Sequence, residues 1–195
     1  MFEPLALIFD CDGTIAHTMP LHWRAWNETV QRHGLFFSED RFYALGGVPA
    51  RHILKILFAE QDRPDLDPLT VAKEKEGVYL QLLHEVTPVQ PVLDLARRYR
   101  GILPMAIATG GSRPSIPTVL KHLGILDWFE AVVTSEDVIL QKPSPDIFLE
   151  AARRLGVAAD RCRAFEDTDL GMQAIYAAGM DAVDVRLMPD YPGRR

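Results

Sequence analysis

From residue 91 onward, short apolar runs alternate with amphipathic stretches, and this alternation constrains the fold more than any other feature. The runs, which predict strands, are Met105–Ala108, Ala131–Val133, Ala164–Phe165 and Ala182–Val185. The stretches between them have helical spacing, and several end at a glycine. Repeated strand–helix units of this kind predict a parallel sheet with helices on both faces.

A further apolar run lies near the start of the chain. Leu5–Phe9 is continuously apolar, as expected of a parallel strand that is covered on both faces. The region from 16 to 85 has helical spacing and no strand-like segment. We therefore predict an α/β protein: a Rossmann-like parallel-sheet core, residues 1–15 and 86–195, with an inserted all-helical cap domain, residues 16–85.

Three helices are predicted inside the insertion. The first follows Thr18, whose hydroxyl can cap it, and the second covers Ala50–Glu60. The third begins at Asp67-Pro68, where an N-cap residue precedes a proline in the first turn. We expect this third helix to bury a stripe that runs from Leu69 to Leu83.

Two carboxylates directly follow the first predicted strand, in the segment Phe9-Asp10-Cys11-Asp12-Gly13-Thr14. At a spacing of i, i+2 in an extended segment, Asp10 and Asp12 project to the same side. They would repel each other unless a cation or a developing positive charge lay between them. A plain turn at Asp12-Gly13 would produce the same letters, so this motif alone leaves both interpretations open.

Polar residues follow or flank other predicted strands in a similar way. In parallel sheets, ligands bind at the carboxyl ends of the strands, so these residues should meet Asp10 at one edge. Each has an ordinary alternative, as a cap, a surface lysine or a first-turn acid, but their coincidence favours a site. They are Thr109, Gly110, Lys142, Glu166 and Asp167.

The net charge and the cysteine content limit the classes of partner and the cell compartment that fit this chain. The formal net charge is −6 with no block of like charge, which gives no electrostatic footprint for nucleic acid or an anionic membrane. The two cysteines lack a metal or redox spacing and fit a reducing cytoplasm. No signal peptide or membrane-spanning run is apparent. We expect a cytoplasmic monomer that binds neither nucleic acid nor membrane.

Together these motifs resemble those of haloacid dehalogenase-superfamily phosphohydrolases that carry a helical cap after the first strand. Asp10–Thr14 is similar to the DxDGT motif, Thr109 to the second motif, Lys142-Pro143 to the third and Glu166-Asp167 to the fourth. The chain is most similar to the β-phosphoglucomutase-like branch. Within that branch it resembles bacterial sugar phosphatases that act on fructose 1-phosphate and similar small esters.

The resemblance and the residue types imply hydrolysis of phosphomonoesters through an aspartyl phosphate. Asp10 would attack phosphorus, and Asp12 would protonate the leaving alkoxide and then deprotonate water. Lys142 would neutralise charge on the phosphoryl oxygens. Thr109 and nearby backbone N–H groups, including that of Gly110, would orient the phosphoryl group.

A metal is implied as well, because a phosphate dianion cannot approach several carboxylates without cations. Mg²⁺ suits an all-oxygen site. We expect the side chains of Asp10 and Asp167 and the backbone carbonyl of Asp12 to be ligands. Glu166 is expected to be a ligand or the partner of one.

Substrate specificity is expected to come from the helical insertion, which would close over the site and exclude water. By resemblance to β-phosphoglucomutase, His22 and Lys75 match cap residues that position the general acid. Arg51 could meet a polar or anionic part of the substrate. Surface arginines and lysines are commonplace, so an ordinary structural role stands beside each of these assignments.

Two alternatives remain at this stage. A β-phosphoglucomutase-type isomerase is one, although Ala50 and Ser112 stand where the mutase has an arginine and a lysine, which favours simple hydrolysis. A phosphoryl-accepting regulatory module is the other, but Asp12 and the large insertion would be unneeded there. His17 stands where the family often has aspartate, and the sequence does not explain it.

Overall fold

The computed structural model describes residues 2–193. The chain divides into two compact units, one formed by residues 2–18 and 86–193 and the other by residues 19–85. Residues 16–18, which lack strand character in the sequence, group with the first unit. The reason is a two-residue strand, Ala16–His17, that pairs with Thr87–Pro88.

Seven strands are present in the described part of the chain. In chain order they are β1 (Ala6–Phe9), β2 (Ala16–His17), β3 (Thr87–Pro88), β4 (Met105–Ala108), β5 (Ala131–Val133), β6 (Cys162–Glu166) and β7 (Asp181–Asp184). Five of them form one parallel sheet in the order β5-β4-β1-β6-β7, and β2 and β3 form an antiparallel ribbon. The predicted α/β class with a parallel-sheet core is confirmed.

The α-helices are, in chain order, α1 (Met19–Arg32), α2 (Glu39–Ala44), α3 (Ala50–Glu60), α4 (Pro68–Leu82), α5 (Gln90–Tyr99), α6 (Ser115–His122), α7 (Asp146–Leu155) and α8 (Asp169–Ala177). In the first unit, α7 and α8 bury Ile147, Phe148 and Ile175 against the apolar side chains of the sheet. This apolar layer holds the central strands in place.

The register of the sheet aligns the ends of its central strands. Phe9 of β1 lies opposite Ile107 of β4 and Phe165 of β6. All four residues of β1 and of β4 are buried, which is why both runs are continuously apolar. The residues that follow each strand therefore emerge at one common edge.

The second unit consists of α1–α4, packed around side chains such as Trp26, Leu57 and Phe58. The predicted buried stripe on α4 is wrong at its first member, because Leu69 is 57% exposed. The buried face of this helix is instead formed by Val71, Lys75, Val78 and Tyr79. A buried lysine on that face means that hydropathy alone could not identify it.

None of the helices described in residues 2–193 combines the length and the apolar character needed to cross a bilayer.

Candidate active site

The segment after β1 places two carboxylates at the carboxyl edge of the sheet. Asp10 is only 5% exposed, and its backbone N–H donates to the carbonyl of Phe165 at 3.0 Å. The chain then turns sharply at Gly13, whose φ is +86°. A Cβ at Gly13 would lie 2.2 Å from Asp167 Oδ2, so a glycine is needed both for the backbone conformation and for this close approach.

Carboxylates from two strands meet at this edge. Oxygen atoms of Asp10, Glu166 and Asp167 all lie within 4.8 Å of one another. Lys142 Nζ donates to Asp10 Oδ1 and to Glu166 Oε2, each at 2.7 Å, and its side chain is 7% exposed. The sequence predicted that these four residues converge, and the structure brings them together.

Burial and mutual repulsion make this cluster electrostatically unfavourable without a cation. Burial and the Glu166 carboxylate raise the pKa of Asp10 to about 8, although Lys142 opposes the shift. Burial, Glu166 and Asp10 also raise the pKa of Asp167 well above its usual value. For Lys142, burial lowers the pKa, but Asp10 and Glu166 outweigh this and keep the ammonium charged.

The donor set fits a hard divalent cation. Three carboxylates within 4.8 Å of one another offer only oxygen ligands, and the ammonium of Lys142 balances one negative charge. Mg²⁺ prefers oxygen ligands and binds through one or two carboxylates together with waters and phosphate oxygens. The residues present therefore fit Mg²⁺ at Asp10 and Asp167, with Glu166 held by Lys142.

Three threonine hydroxyls orient the carboxylates, a role that the sequence motifs predicted for none of them. Thr14 Oγ1 donates to Asp167 Oδ1 at 2.8 Å, and Thr18 Oγ1 donates to Asp12 Oδ1 at 2.6 Å. Thr168 donates its hydroxyl to Glu166 Oε1 at 2.6 Å and its backbone N–H to the same oxygen at 3.0 Å. Thr14 and Thr18 are fully buried.

Two of these threonines, Thr14 and Thr168, could have been found from the sequence, because each lies in or next to a motif. Thr14 completes the first motif, and Thr168 directly follows Glu166-Asp167. Thr18 directly precedes α1, the position predicted for a cap, and its hydroxyl donates to the Asp12 carboxylate. Its partner is set by the turn after β1, which the local sequence pattern does not specify.

A glycine keeps Glu166 in place. A Cβ at Gly171 would lie 2.0 Å from Glu166 Cδ, so a larger residue in α8 would displace the carboxylate. Thr168 caps this helix by accepting from the N–H of Gly171 at 3.0 Å. The first turn of α8 is thus shaped around Glu166.

The loop after β4 contributes Thr109 and two glycines. Thr109 is 1% exposed, and its Oγ1 accepts the N–H of Gly111 at 3.0 Å. A Cβ at Gly111 would lie 3.1 Å from Asp12 Oδ2, so this loop borders the second aspartate. Gly110 is exposed. Between the two aspartates, Cys11 is fully buried, and burial raises the pKa of its thiol, which disfavours the thiolate form.

Three predicted site residues belong to the second unit. Lys75 Nζ lies 2.8 Å from His22 Nδ1, and the His22 ring stacks on Tyr79 with 3.8 Å between centroids. The Lys75 ammonium also lies 4.9 Å from the centroid of Tyr79. His22 and Lys75 thus form one cluster, whereas Arg51 is exposed on α3.

Comparisons with known proteins agree with this geometry. A family model described as haloacid dehalogenase-like hydrolase matches residues 5–179. The chain is 44% identical over 190 residues to the fructose-1-phosphate phosphatase YqaB of Escherichia coli, covering 96% of this chain and 100% of that one. It is 32% identical to the β-phosphoglucomutase of Bacillus subtilis, covering 92% of this chain and 82% of that one.

A solved structure shares the fold. The crystal structure of β-phosphoglucomutase from Clostridium difficile superimposes with a TM-score of 0.83 at 28% identity. The superposition covers 94% of this chain and 84% of that chain.

Proposed function

The chain belongs to the haloacid dehalogenase-like hydrolases, and from this premise we propose a Mg²⁺-dependent phosphatase that hydrolyses small sugar phosphates such as fructose 1-phosphate. The observation that carries the proposal is the ammonium of Lys142 set between the buried carboxylates of Asp10 and Glu166, with a carboxylate oxygen of Asp167 within 4.8 Å of theirs. The name of the 44% identical relative supports a phosphatase and suggests the substrate.

Asp10 and Asp167 would hold the metal through their side chains, and Asp12 through its backbone carbonyl. When bound, Mg²⁺ would lower the pKa of both carboxyl groups and offset the charge of the phosphoryl oxygens. This matters for Asp10, because its pKa of about 8 would leave much of it protonated at neutral pH. A protonated carboxyl group is a poor nucleophile.

In the first half of the reaction, a carboxylate oxygen of Asp10 attacks phosphorus and the bond from phosphorus to the sugar oxygen breaks. The leaving alkoxide takes a proton from the Asp12 carboxyl group, whose Oδ1 accepts the Thr18 hydroxyl at 2.6 Å. Lys142 stabilises the charge that develops on the phosphoryl oxygens, and Thr109 helps to orient them.

In the second half, water attacks the phosphorus of the aspartyl phosphate. Asp12, now a carboxylate, accepts the proton of that water, and the bond to Asp10 breaks to release inorganic phosphate. Both aspartates return to their starting states, so each turnover consumes one ester and one water. A single group alternates between acid and base, which is why a second aspartate is needed.

The roles of His22, Lys75 and Arg51 in substrate binding stay a prediction. The assignment of His22 and Lys75 rests on resemblance and that of Arg51 on its charge, and the contact between His22 and Lys75 is equally compatible with a structural role in the second unit.

The test is a phosphate-release screen over small sugar phosphates, with Mg²⁺ or with EDTA, on the wild type and on Asp10→Asn. We expect turnover of fructose 1-phosphate that needs Mg²⁺ and falls by at least about a thousandfold in the variant. Asp160→Asn, which removes an exposed carboxylate, should keep the wild-type rate. Equal rates for the wild type and Asp10→Asn would refute the assignment of the nucleophile.

The isomerase alternative is separated by product analysis in the same reactions. A β-phosphoglucomutase-type enzyme would convert a sugar 1-phosphate into the 6-phosphate and release little phosphate. We expect the reverse, with free sugar and phosphate formed in equal amounts.

A further inference from the structure

Tyr191 lies next to the carboxylate cluster, and neither the sequence motifs nor the proposed mechanism uses it. It follows β7 in a segment that the side chain of Arg186 anchors. The Arg186 guanidinium binds Asp184 at 2.7 Å and Asp169 at 2.8 Å. From this anchored segment the Tyr191 hydroxyl donates to the carbonyl of Gly13 at 2.8 Å, across 178 positions of sequence.

The carbonyl that Tyr191 holds belongs to the turn that positions a carboxylate. The N–H of Gly13 donates to the carbonyl of Ala16 at 2.9 Å, and the Tyr191 hydroxyl binds the carbonyl of the same glycine. Both backbone polar groups of Gly13 are therefore held. On its open face Gly13 meets Asp167, since a Cβ there would lie 2.2 Å from Oδ2. The next residue, Thr14, donates its hydroxyl to Asp167 Oδ1 at 2.8 Å.

The peptide between Gly13 and Thr14 is therefore held from two sides. Tyr191 donates to the carbonyl oxygen of Gly13, and Asp167 packs against the Cα of Gly13 and accepts the Thr14 hydroxyl. A shift of this peptide would move the Thr14 hydroxyl and change where the Asp167 carboxylate rests. Groups that orient metal ligands in this indirect way commonly tune metal affinity.

The hydroxyl of Tyr191 is a dependable donor. Burial and the nearby Asp167 carboxylate raise its pKa, so it keeps its proton across the whole neutral range. A phenylalanine would fill the same space without the donor.

We propose that Tyr191 is a positioning residue for the divalent-cation site, holding the Gly13–Thr14 peptide against the Asp167 carboxylate. This inference rests on the proposed function, because it requires a divalent cation at Asp10 and Asp167.

The test compares Tyr191→Phe with the wild type by isothermal titration of Mg²⁺ into metal-free protein and by steady-state kinetics. We expect the Kd for Mg²⁺ to rise about tenfold, at the lower end of the range for groups that orient metal ligands. At saturating Mg²⁺ the KM for the sugar phosphate should stay within about twofold of the wild type, since Tyr191 acts on the metal site.

Tyr176→Phe is the matched control, because it removes a hydroxyl from an exposed tyrosine on α8 that is 65% accessible. It should leave the Kd for Mg²⁺ unchanged. Thr14→Val provides a second test: if Tyr191 acts through the Thr14 hydroxyl, the double variant should bind Mg²⁺ no more weakly than Thr14→Val alone.

Thermal unfolding of the metal-free proteins separates positioning from simple stabilisation. A Tyr191→Phe protein with a lower Tm but the wild-type Kd for Mg²⁺ would overturn the inference and leave the proposed function intact. Wild-type protein that shows no saturable Mg²⁺ binding would overturn both.

Discussion

Replacing the nucleophile should stabilise the metal-free protein increasingly as the pH rises from 5 to 8. The pKa of Asp10 is raised from 3.8 to about 8, chiefly by burial and then by the Glu166 carboxylate. Between these two values the folded chain holds a proton that the unfolded chain releases. Stability therefore falls as the pH rises through this window, by up to about 1.4 kcal/mol per pH unit.

The magnitude follows from the width of the window. A shift of about four units corresponds to a cost of at most about 6 kcal/mol, which is present in full above pH 8 and vanishes below pH 4. The amide that replaces the carboxyl group in Asp10→Asn cannot ionise and escapes this cost, while its oxygen can still accept from Lys142. We expect Asp10→Asn to gain at least about 2 kcal/mol on the wild type between pH 5 and pH 8.

The assay is urea unfolding followed by far-UV circular dichroism at four pH values from 5 to 8, in EDTA. Asp160→Asn controls for the loss of one carboxylate at an exposed position. Mg²⁺ at a hundred times its Kd should restore about 2.7 kcal/mol to the wild type. A difference between Asp10→Asn and the wild type that stays constant within about 0.5 kcal/mol over this range would show that Asp10 does not have the raised pKa.

Two further predictions concern other ionic contacts. Lys142→Met should destabilise the metal-free protein by about 3–5 kcal/mol at pH 8, because it leaves Asp10 and Glu166 buried without their ammonium. Urea unfolding measures this loss, with Lys121→Met as the control at an exposed position. A loss below about 1 kcal/mol would contradict the prediction. For Asp137, burial raises the pKa, but Arg154 and Thr134 outweigh it and lower the pKa to about 2. The stabilisation of the fold by the ionised Asp137 is present in full above pH 4 and is lost as the pH falls towards 2. Asp137→Asn should therefore lower the free energy of unfolding by about 2 kcal/mol at pH 7 and by much less at pH 2.5. Equal losses at the two pH values, measured by urea unfolding, would contradict this prediction.

Much of the core could be predicted from the sequence, because its strands are buried on both faces. Met105–Ala108 and Ala131–Val133 have the predicted bounds, and so does the helix Ala50–Glu60. A continuous apolar run predicts a buried strand and a clear helical period predicts a helix, and in these segments the tertiary contacts favour the same structure. Agreement is best where burial alone decides the structure.

Short elements and buried charge were not predicted. The two residues of β2 and the two of β3 are too few to show a period, and the six-residue α2 also escaped notice. The buried face of α4 includes Lys75, which contacts His22 and Tyr79 instead of water. A pattern that treats lysine as exposed cannot identify such a face.

In the candidate site, too, residues placed by the strands could be predicted, whereas residues placed by long-range contacts could not. Residues that follow strands, such as Asp10 after β1 and Asp167 after β6, could be placed at one edge because parallel strands align their carboxyl ends. The groups that orient them could not be placed. Thr14 binds Asp167 across 153 positions and Tyr191 binds Gly13 across 178, and no local pattern encodes such pairings.

The most direct test of the whole account is to locate the metal. Crystals grown with Mn²⁺ in place of Mg²⁺ should show one anomalous peak within coordination distance of the Asp10 and Asp167 carboxylates and the Asp12 carbonyl. Crystals of Asp167→Asn grown in the same way should lose most of that peak. Density for the ion at another place, or an empty site beside Asp10 in crystals soaked with excess Mn²⁺, would show that Asp10 and Asp167 do not bind the metal.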